Sequence, residues 1–391
     1  MKVLSIIHYA FFGGPHNRNT LLSPALKNIG VNTIVLLPDE EGNAFEIMRS
    51  KGVNVSRMSL HRLRSTFSLK VHINFFLSFL KEVQNLKKYI IHNQIDVVLI
   101  NGLANPHGAI AAKLAGVPIV WQILDTRTPK VLSFFMMLLA RSFSSVIMST
   151  GVKVARMHPF TNGLNEKLVS FYPPVDTNKF VFDKANRKKI RKELNIPEDG
   201  FIIATVGNLN AQKGHEFFIQ AAKIVDNFAQ KNNIKVYFFI FGTTIPTHEA
   251  YLNQLEFLRK DLKFSDSDSF RIMSPQSEIQ EILSSFDIFI QASVPNSEGI
   301  PTAILEAISC GLPIVSSDVG SISEVVENNN NGILVNSMDF SSMAEAIITL
   351  INDPEKLESM ANYSINKIKP RLGIVPCAQA HKKSFELAMK N

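Results

Sequence analysis

Two acids eight positions apart frame the stretch SEGIPTAILEAISCGLPIV, residues 297–315. Glu298 comes before Pro301, and Glu306 sits among Ile304, Leu305 and Ile308. Proline suits the first turn of a helix, where a missing N–H costs nothing. Gly311 suits the stop just past the end, and Pro313 forbids a restart. The spacing therefore predicts a short helix with a buried apolar stripe and Glu306 pointing off it. The N–H groups that open such a helix have no intrahelical acceptor and favour an anion. Carboxylates, when ionised, only accept hydrogen bonds. The segment is suited to an anion flanked by hydroxyl groups, which is the chemistry of a phosphate joined to a sugar.

Alternating elements must position these residues. Apolar, β-branched runs predict strands at Val3–Ile7, Thr33–Leu37, Val53–Arg57, Asp96–Ile100, Ile119–Gln122 and Val146–Ser149, with helices between them. The scheme repeats at Ile202–Val206, Val236–Phe241, Phe270–Met273, Ile288–Gln291, Ile314–Ser316 and Ile333–Val335. Strand and helix in alternation mean parallel sheets covered on both faces. The segment FYPPVDTNKF, residues 171–180, joins the two runs and is stiffened by its Pro-Pro pair. The expected fold class is α/β, with two doubly wound Rossmann-like domains facing across a cleft. The expected domains are residues 1–170 and 171–374, with a C-terminal helix at 375–391 that crosses back to the first. Ligands of such sheets bind at the carboxyl ends of the strands.

The chain has 391 residues, ample for two cores. Its two cysteines, Cys310 and Cys377, imply no disulfide framework and fit a reducing, cytoplasmic setting. The opening MKVLSIIH reads as a strand rather than a signal peptide. The longest apolar run, VLSFFMMLLA at 131–140, falls short of the roughly 18–20 residues of a membrane span. Charge is uneven. Residues 1–170 hold 19 Lys/Arg against 8 Asp/Glu, a net of +11, and residues 171–391 hold 22 against 26, a net of −4. A basic first half points to an anionic partner on that side.

After the first strand comes AFFGGPHNRNT, with Gly13-Gly14 but without the G-x-G-x-x-G spacing of a dinucleotide site. The glycine pair would still let a ligand approach the backbone closely. No Asp-x-Asp pair stands where it would hold a diphosphate-bound cation. The one candidate, SDSDS at 265–269, lies in a predicted loop between helix and strand. Neither a metal nor a cofactor is expected.

Six motifs taken together carry a resemblance. VGNLNAQKG (206–214), FFIFG (238–242), FDIFIQAS (286–293), EGIPTAILEAISCGLPIV (298–315), EVVENNNNGILV (324–335) and PPVDTNKF (173–180) resemble the retaining glycosyltransferases of family 4, which have the GT-B fold. The resemblance covers residues 171–355 motif by motif and the first 170 residues only in general layout. It implies that Glu298 contacts donor-sugar hydroxyls near the reacting carbon and that Glu306 holds the nucleotide ribose. It further implies that the backbone of Gly299, Ile300, Thr302 and Ala303 faces the diphosphate or sugar. Lys213 would reach the diphosphate and stabilise the leaving group. As a plain helix-start lysine it would oppose the helix dipole. Gly207 lies in the same motif, and Met273 and Ser274 fall where the nucleobase stacks.

Two departures stand out. Many relatives carry arginine directly after the motif's glycine, where this chain has Asn208. The missing cation is expected to be replaced by an Asn208 hydrogen bond, or by His16 or Arg18 from the first domain. Relatives often place a histidine near the strand at Ile119–Gln122, where this chain reads WQILDTRTP. Asp125 is the preferred substitute, with Gln122 beside it, and an N-cap role for Asp125 is the competing reading. His8 and His107 read as structural rather than catalytic.

Basic and aromatic residues mix in SRMSLHRLRSTFSLKVHINFFLSFLKEVQNLKKYI, residues 56–90. Phe76, Leu80 and Val83, like Val71, Phe75 and Phe79, recur at helical intervals and are expected in the core. The basic loop before them, with Arg62, Arg64 and Phe67, suits an anionic lipid surface. No nucleic-acid module is present. The expected activity is retaining, metal-independent hexosyl transfer from a nucleotide-sugar, a UDP-sugar by preference. The expected acceptor is a hydroxyl of a glycan or lipid-linked molecule in surface polysaccharide or lipopolysaccharide synthesis. The expected location is the cytoplasm, at the inner membrane face. The alternatives are a nucleotide-sugar epimerase, a phosphorylase, or a silent sugar-nucleotide-binding protein.

Overall fold

The computed structural model describes residues 1–61, 69–243, 248–266 and 268–390. The chain divides into two units, Met1–Pro174 with Ile374–Asn391, and Val175–Gly373. Arg62, Arg64 and Phe67 of the basic loop lie outside the described residues, as does Ser267 of SDSDS.

The first unit holds a parallel sheet of β1 (Lys2–Ile7), β2 (Asn32–Pro38), β3 (Val55–Met58), β4 (Val97–Asn101), β5 (Ile119–Ile123), β6 (Val146–Thr150) and β7 (Leu168–Phe171), in the order β3-β2-β1-β4-β5-β6-β7. Its helices are α1 (Gly14–Asn28), α2 (Ala44–Ser50), α3 (Leu69–His92), α4 (Pro106–Ala115), α5 (Lys130–Phe143) and α6 (Val152–Arg156). β7 is an addition to the expected strands; its four residues, LVSF, are too few to show a period, and pairing with β6 from Ile147↔Leu168 to Thr150↔Phe171 creates it. One helical layer, α3 to α5, fills one side of the sheet with Val83, Leu86, Ile90, Ala112, Met137 and Ala140. On the other side α1 packs with the last helix of the chain, at Ile374–Lys390, through Leu22, Leu26, Cys377 and Phe385.

The second unit holds α7 (Lys184–Glu193), α8 (His215–Lys231), α9 (Glu249–Asp261), α10 (Ile279–Ser285), α11 (Thr302–Ser309), α12 (Phe340–Ile351) and α13 (Pro354–Tyr363), which makes the last helix α14. Its strands are β8 (Phe201–Val206), β9 (Val236–Phe241), β10 (Phe270–Met273), β11 (Ile288–Gln291), β12 (Ile314–Ser317) and β13 (Gly332–Val335). They form a parallel sheet in the order β10-β9-β8-β11-β12-β13. In both units chain order reverses direction beside the first strand, at β1/β4 and at β8/β11, which is where such sheets bind ligands. Phe218, Phe238 and Phe270 form the centre of the second core.

The apolar face expected on α3 is corrected. Phe75 and Val83 are buried and Phe79 packs against the core, but Phe76 and Leu80 are 71% and 74% exposed. A helix turns about 100° per residue, so the face set by Phe75, Phe79, Glu82, Leu86 and Ile90 leaves Phe76 and Leu80 outside. Among the described residues no helix is long and apolar enough to cross a membrane.

Candidate functional site

The loop between β8 and α8 carries Gly207, Asn208 and Lys213. Gly214, which follows, has φ +61°, and an added Cβ would stand 2.2 Å from the carbonyl oxygen of Ala292. Glycine is needed there for both conformation and space, and the close approach brings the loop onto the segment after β11. Lys213 Nζ then reaches Glu298 Oε1 at 2.7 Å. The Lys213 chain passes Gly207, where a Cβ would sit 3.7 Å from its Cε. His215 is buried and its imidazole is pushed down to about 4 by that burial, so it is neutral at pH 7. Its Nε2 lies 3.3 Å from the carbonyl of Asn208 and steadies the loop. The Asn208 side chain is exposed.

Glu298 is held from below by buried hydroxyls. Ser293 Oγ donates to Glu298 Oε1 at 3.1 Å, and Gln291 Nε2 donates to Ser293 Oγ at 2.6 Å. Ser317 and Ser337 both donate to the carbonyl of Ser293, at 2.6 and 2.9 Å. Gly320, at φ +58°, lies so close that a Cβ would sit 2.5 Å from the Glu298 carbonyl oxygen and 2.6 Å from that of Gly299. Ser321 N–H donates to the Gly299 carbonyl at 3.0 Å. The motif FDIFIQAS held Gln291 and Ser293 but gave them no role, and Ser317, Ser337 and Gly320 were absent from the sequence reading. Serines at strand ends are too common to signal anything, and only Gly320 offered a clue.

α11 begins at Thr302, with Pro301 just before it at φ −63° and ψ 129°. The first N–H groups of α11 have no intrahelical acceptor. Ile304, Leu305 and Ile308 are fully buried, and Gly311 ends the helix at φ +78°. The bonds Leu312 N–H to Ala307 O and Gly311 N–H to Ile308 O complete a Schellman stop. Glu306 is mostly buried and receives no hydrogen bond from the described residues. Burial pushes its carboxyl up to about 7, against a smaller downward pull from Lys179. Ile300 is buried. Met273 closes β10 and its carbonyl accepts the Gly242 N–H at 3.0 Å, while Ser274 is exposed beside it. The second unit thus gathers a cation, two carboxylates and a helix start around the carboxyl ends of β8 and β11.

The first unit corrects three expectations. Arg18 is buried, with Nη2 donating to Asn101 Oδ1 at 2.7 Å and to Gln122 Oε1 at 2.6 Å, so it serves the fold rather than a phosphate. Burial lowers it to about 10, which leaves it charged at pH 7. Gln122 is fully buried and its Nε2 lies 2.9 Å from His381 Nε2 on α14. His16 is fully buried too, with Nδ1 accepting from the Gly13 N–H at 3.2 Å and Nε2 against the Tyr9 carbonyl at 3.0 Å. The physical reason is shared: polar atoms inside a sheet-helix layer must pair with one another.

Asp125 does not cap α5, whose N-cap is Pro129. It binds Arg127 instead, accepting from the backbone N–H at 3.0 Å and from Nη2 at 2.6 Å. Gly13 and Gly14 open α1 without positive φ, and space is open beside Gly14. His107 lies 3.2 Å from the buried Glu82, and His8 Nδ1 lies 3.2 Å from the Asn101 carbonyl.

Residues 186–367 match the family described as glycosyl transferases group 1. The chain is 29% identical over 195 residues to the D-inositol 3-phosphate glycosyltransferase of Corynebacterium jeikeium, covering 49% of this chain and 45% of that one. It therefore spans about half the length of that relative. It is 24% identical over 374 residues to the UDP-Gal:alpha-D-GlcNAc-diphosphoundecaprenol alpha-1,3-galactosyltransferase of Escherichia coli, covering 90% and 91% of the two chains. The crystal structure of Anabaena HepE in complex with UDP and glucose superposes with a TM-score of 0.80 at 20% identity, over 99% of each chain. The two Rossmann-like units are those of the GT-B fold, and it is residues 186–367, in the second unit, that match the glycosyl transferases group 1 family.

Proposed function

We propose that this chain transfers a glycosyl unit from a nucleotide-sugar, a UDP-sugar by preference, to a hydroxyl of a glycan or lipid-linked acceptor, with retention of configuration. The observation that carries the proposal is the pairing of Lys213 with Glu298 at 2.7 Å beside the start of α11, one helix turn and more from the unpartnered Glu306. Glu298 accepts hydrogen bonds from sugar hydroxyls, the α11 N–H groups and Lys213 meet the diphosphate, and Glu306 accepts from the ribose. In the reaction the bond from the anomeric carbon to the phosphate oxygen breaks while the bond to the acceptor oxygen forms on the same face. The acceptor proton passes to the departing phosphate oxygen. Lys213 and the helix start stabilise the charge that develops there, the task a metal performs in other transferases, and the proposed reaction is metal-independent. Two named properties of similar proteins support the donor and acceptor classes: the E. coli relative is a UDP-Gal transferase acting on a diphosphoundecaprenol-linked sugar, and the Anabaena structure holds UDP. With that acceptor class, the proposed setting is the cytoplasmic face of an anionic membrane, in surface polysaccharide or lipopolysaccharide assembly.

Thermal unfolding with a panel of UDP-, GDP- and ADP-sugars tests the donor. A ligand at a hundred times its Kd stabilises by about 2.7 kcal/mol, so a UDP-sugar is expected to raise Tm and Lys213→Ala to remove most of the rise. Turnover in the presence of EDTA should be unchanged, and the product anomer should match the donor's. A stabilising donor that neither Lys213→Ala nor Glu298→Ala affects would overturn the site. A donor that binds and is never transferred would favour the silent binding protein.

A further inference from the structure

The helical layer of α3, α4 and α5 carries a second apolar face that the fold does not use. α3 turns Ile73, Phe76, Leu77 and Leu80 outward, the last three each more than 70% exposed. The spacing i, i+3, i+4, i+7 defines one side of a helix. α5 repeats it with Val131, Phe134, Phe135 and Leu138, all exposed. Both helices already bury a different face, with Val83, Leu86 and Ile90 on α3 and Met136, Met137 and Ala140 on α5. α4, which touches both, exposes Leu114.

Charge decides what this surface fits. The three helices hold seven Lys or Arg (four, one and two) against a single acid, Glu82. Glu82 is 3% exposed and is occupied by the His61 N–H at 3.0 Å and by His61 Nδ1 at 2.6 Å. Lys81, Lys88, Lys113 and Lys130 are exposed around the two stripes, and none of the three helices shows a carboxylate to solvent. A second copy of the chain would set these cations against themselves, because a two-fold contact meets its own patch. An anionic bilayer suits both features: apolar side chains enter the headgroup boundary and lysines meet the phosphates.

We infer that the outward faces of α3 and α5 together form a docking surface for an anionic lipid bilayer. This deepens the proposed transfer to a lipid-linked acceptor and rests on that reading, but its test is separable. The full chain is floated with phosphatidylglycerol-containing vesicles and with phosphatidylcholine vesicles, at low and raised salt. Two double variants accompany it, Phe76→Ser with Leu80→Ser and Val131→Ser with Phe135→Ser; every changed residue is exposed, and unfolding curves check that the fold is kept.

The chain is expected to float with the anionic vesicles and much less with the neutral ones. Salt should weaken the association, and each double variant should lower it on the order of tenfold. Absence of flotation at low salt overturns the inference, and so does equal flotation of chain and variants. If the chain sediments as a dimer that the variants dissociate, while flotation is unchanged, the face is a contact between copies and the inference also falls. UDP-induced thermal stabilisation, read on the same samples, separates the two ideas. Its loss with flotation intact sinks the transferase reading alone, and its retention without flotation sinks the docking surface alone.

Discussion

Glu306 shows what a single buried carboxyl costs the fold, and its proposed ligand role can be tested through that cost. Its burial is the dominant influence, and the resulting rise to about 7 leaves the folded chain holding a proton that the unfolded chain releases near 4.5. The sign follows from linkage: between about pH 4.5 and 7 the native state binds more protons, so this group's contribution to stability falls as pH rises and levels off above. Glu306→Gln should therefore be more stable than the parent at about pH 8, by on the order of 1–3 kcal/mol, with the difference closing toward about pH 5. Thermal unfolding at the two pH values checks this. Donor affinity should move the opposite way, strengthening through pH 7 in the parent as the carboxylate forms and staying flat in the variant. Equal pH dependence in the two proteins would remove Glu306 from the donor site.

At the scale of elements, the β8–α8 loop matters most because it sets where Lys213 points. Gly214 combines a left-handed backbone with a contact that excludes any Cβ, so Gly214→Ala must move the loop or the Ala292 carbonyl. A destabilisation of about 2 kcal/mol or more is expected, read as a lower urea midpoint, with donor-induced stabilisation weakened beyond what lost stability explains. Gly14→Ala is the control, since its surroundings are open and its φ is ordinary. The motif VGNLNAQKG made the importance of this loop legible in the sequence. The ion pair it forms with Glu298 was not legible, because 85 residues separate the partners and only the β8/β11 pairing brings them together.

For the whole molecule, the first unit is the one that depends on chain from both ends. α14 buries Phe385 and Ala388 beside Val3, Leu22 and Leu26, and its His381 meets Gln122. The second unit, Val175–Gly373, is continuous and has its own core. Deleting residues 374–391 should abolish the cooperative unfolding of the first unit. The second should still unfold cooperatively and still be stabilised by the donor. Scanning calorimetry checks this: one transition lost and one kept at its own temperature is expected, and two unchanged transitions would show that α14 is dispensable. Truncating the single anchor, Phe385→Ala, should cost the first unit about 3–5 kcal/mol.

Local pattern by itself determined the two doubly wound sheets, twelve of the thirteen strands and the motif positions of Glu298, Glu306 and Lys213, because period and turn chemistry are written within a few residues. Only the tertiary structure decided which groups have partners. It closed Arg18 and Gln122 into an internal network, set the His16 ring between the Gly13 N–H and the Tyr9 carbonyl, tied Asp125 to Arg127, set Ser293 under Glu298, and turned Phe76 and Leu80 outward. The reason is physical: a side chain's hydrogen bonds and exposure depend on neighbours far away in sequence, and no spacing along the chain records them.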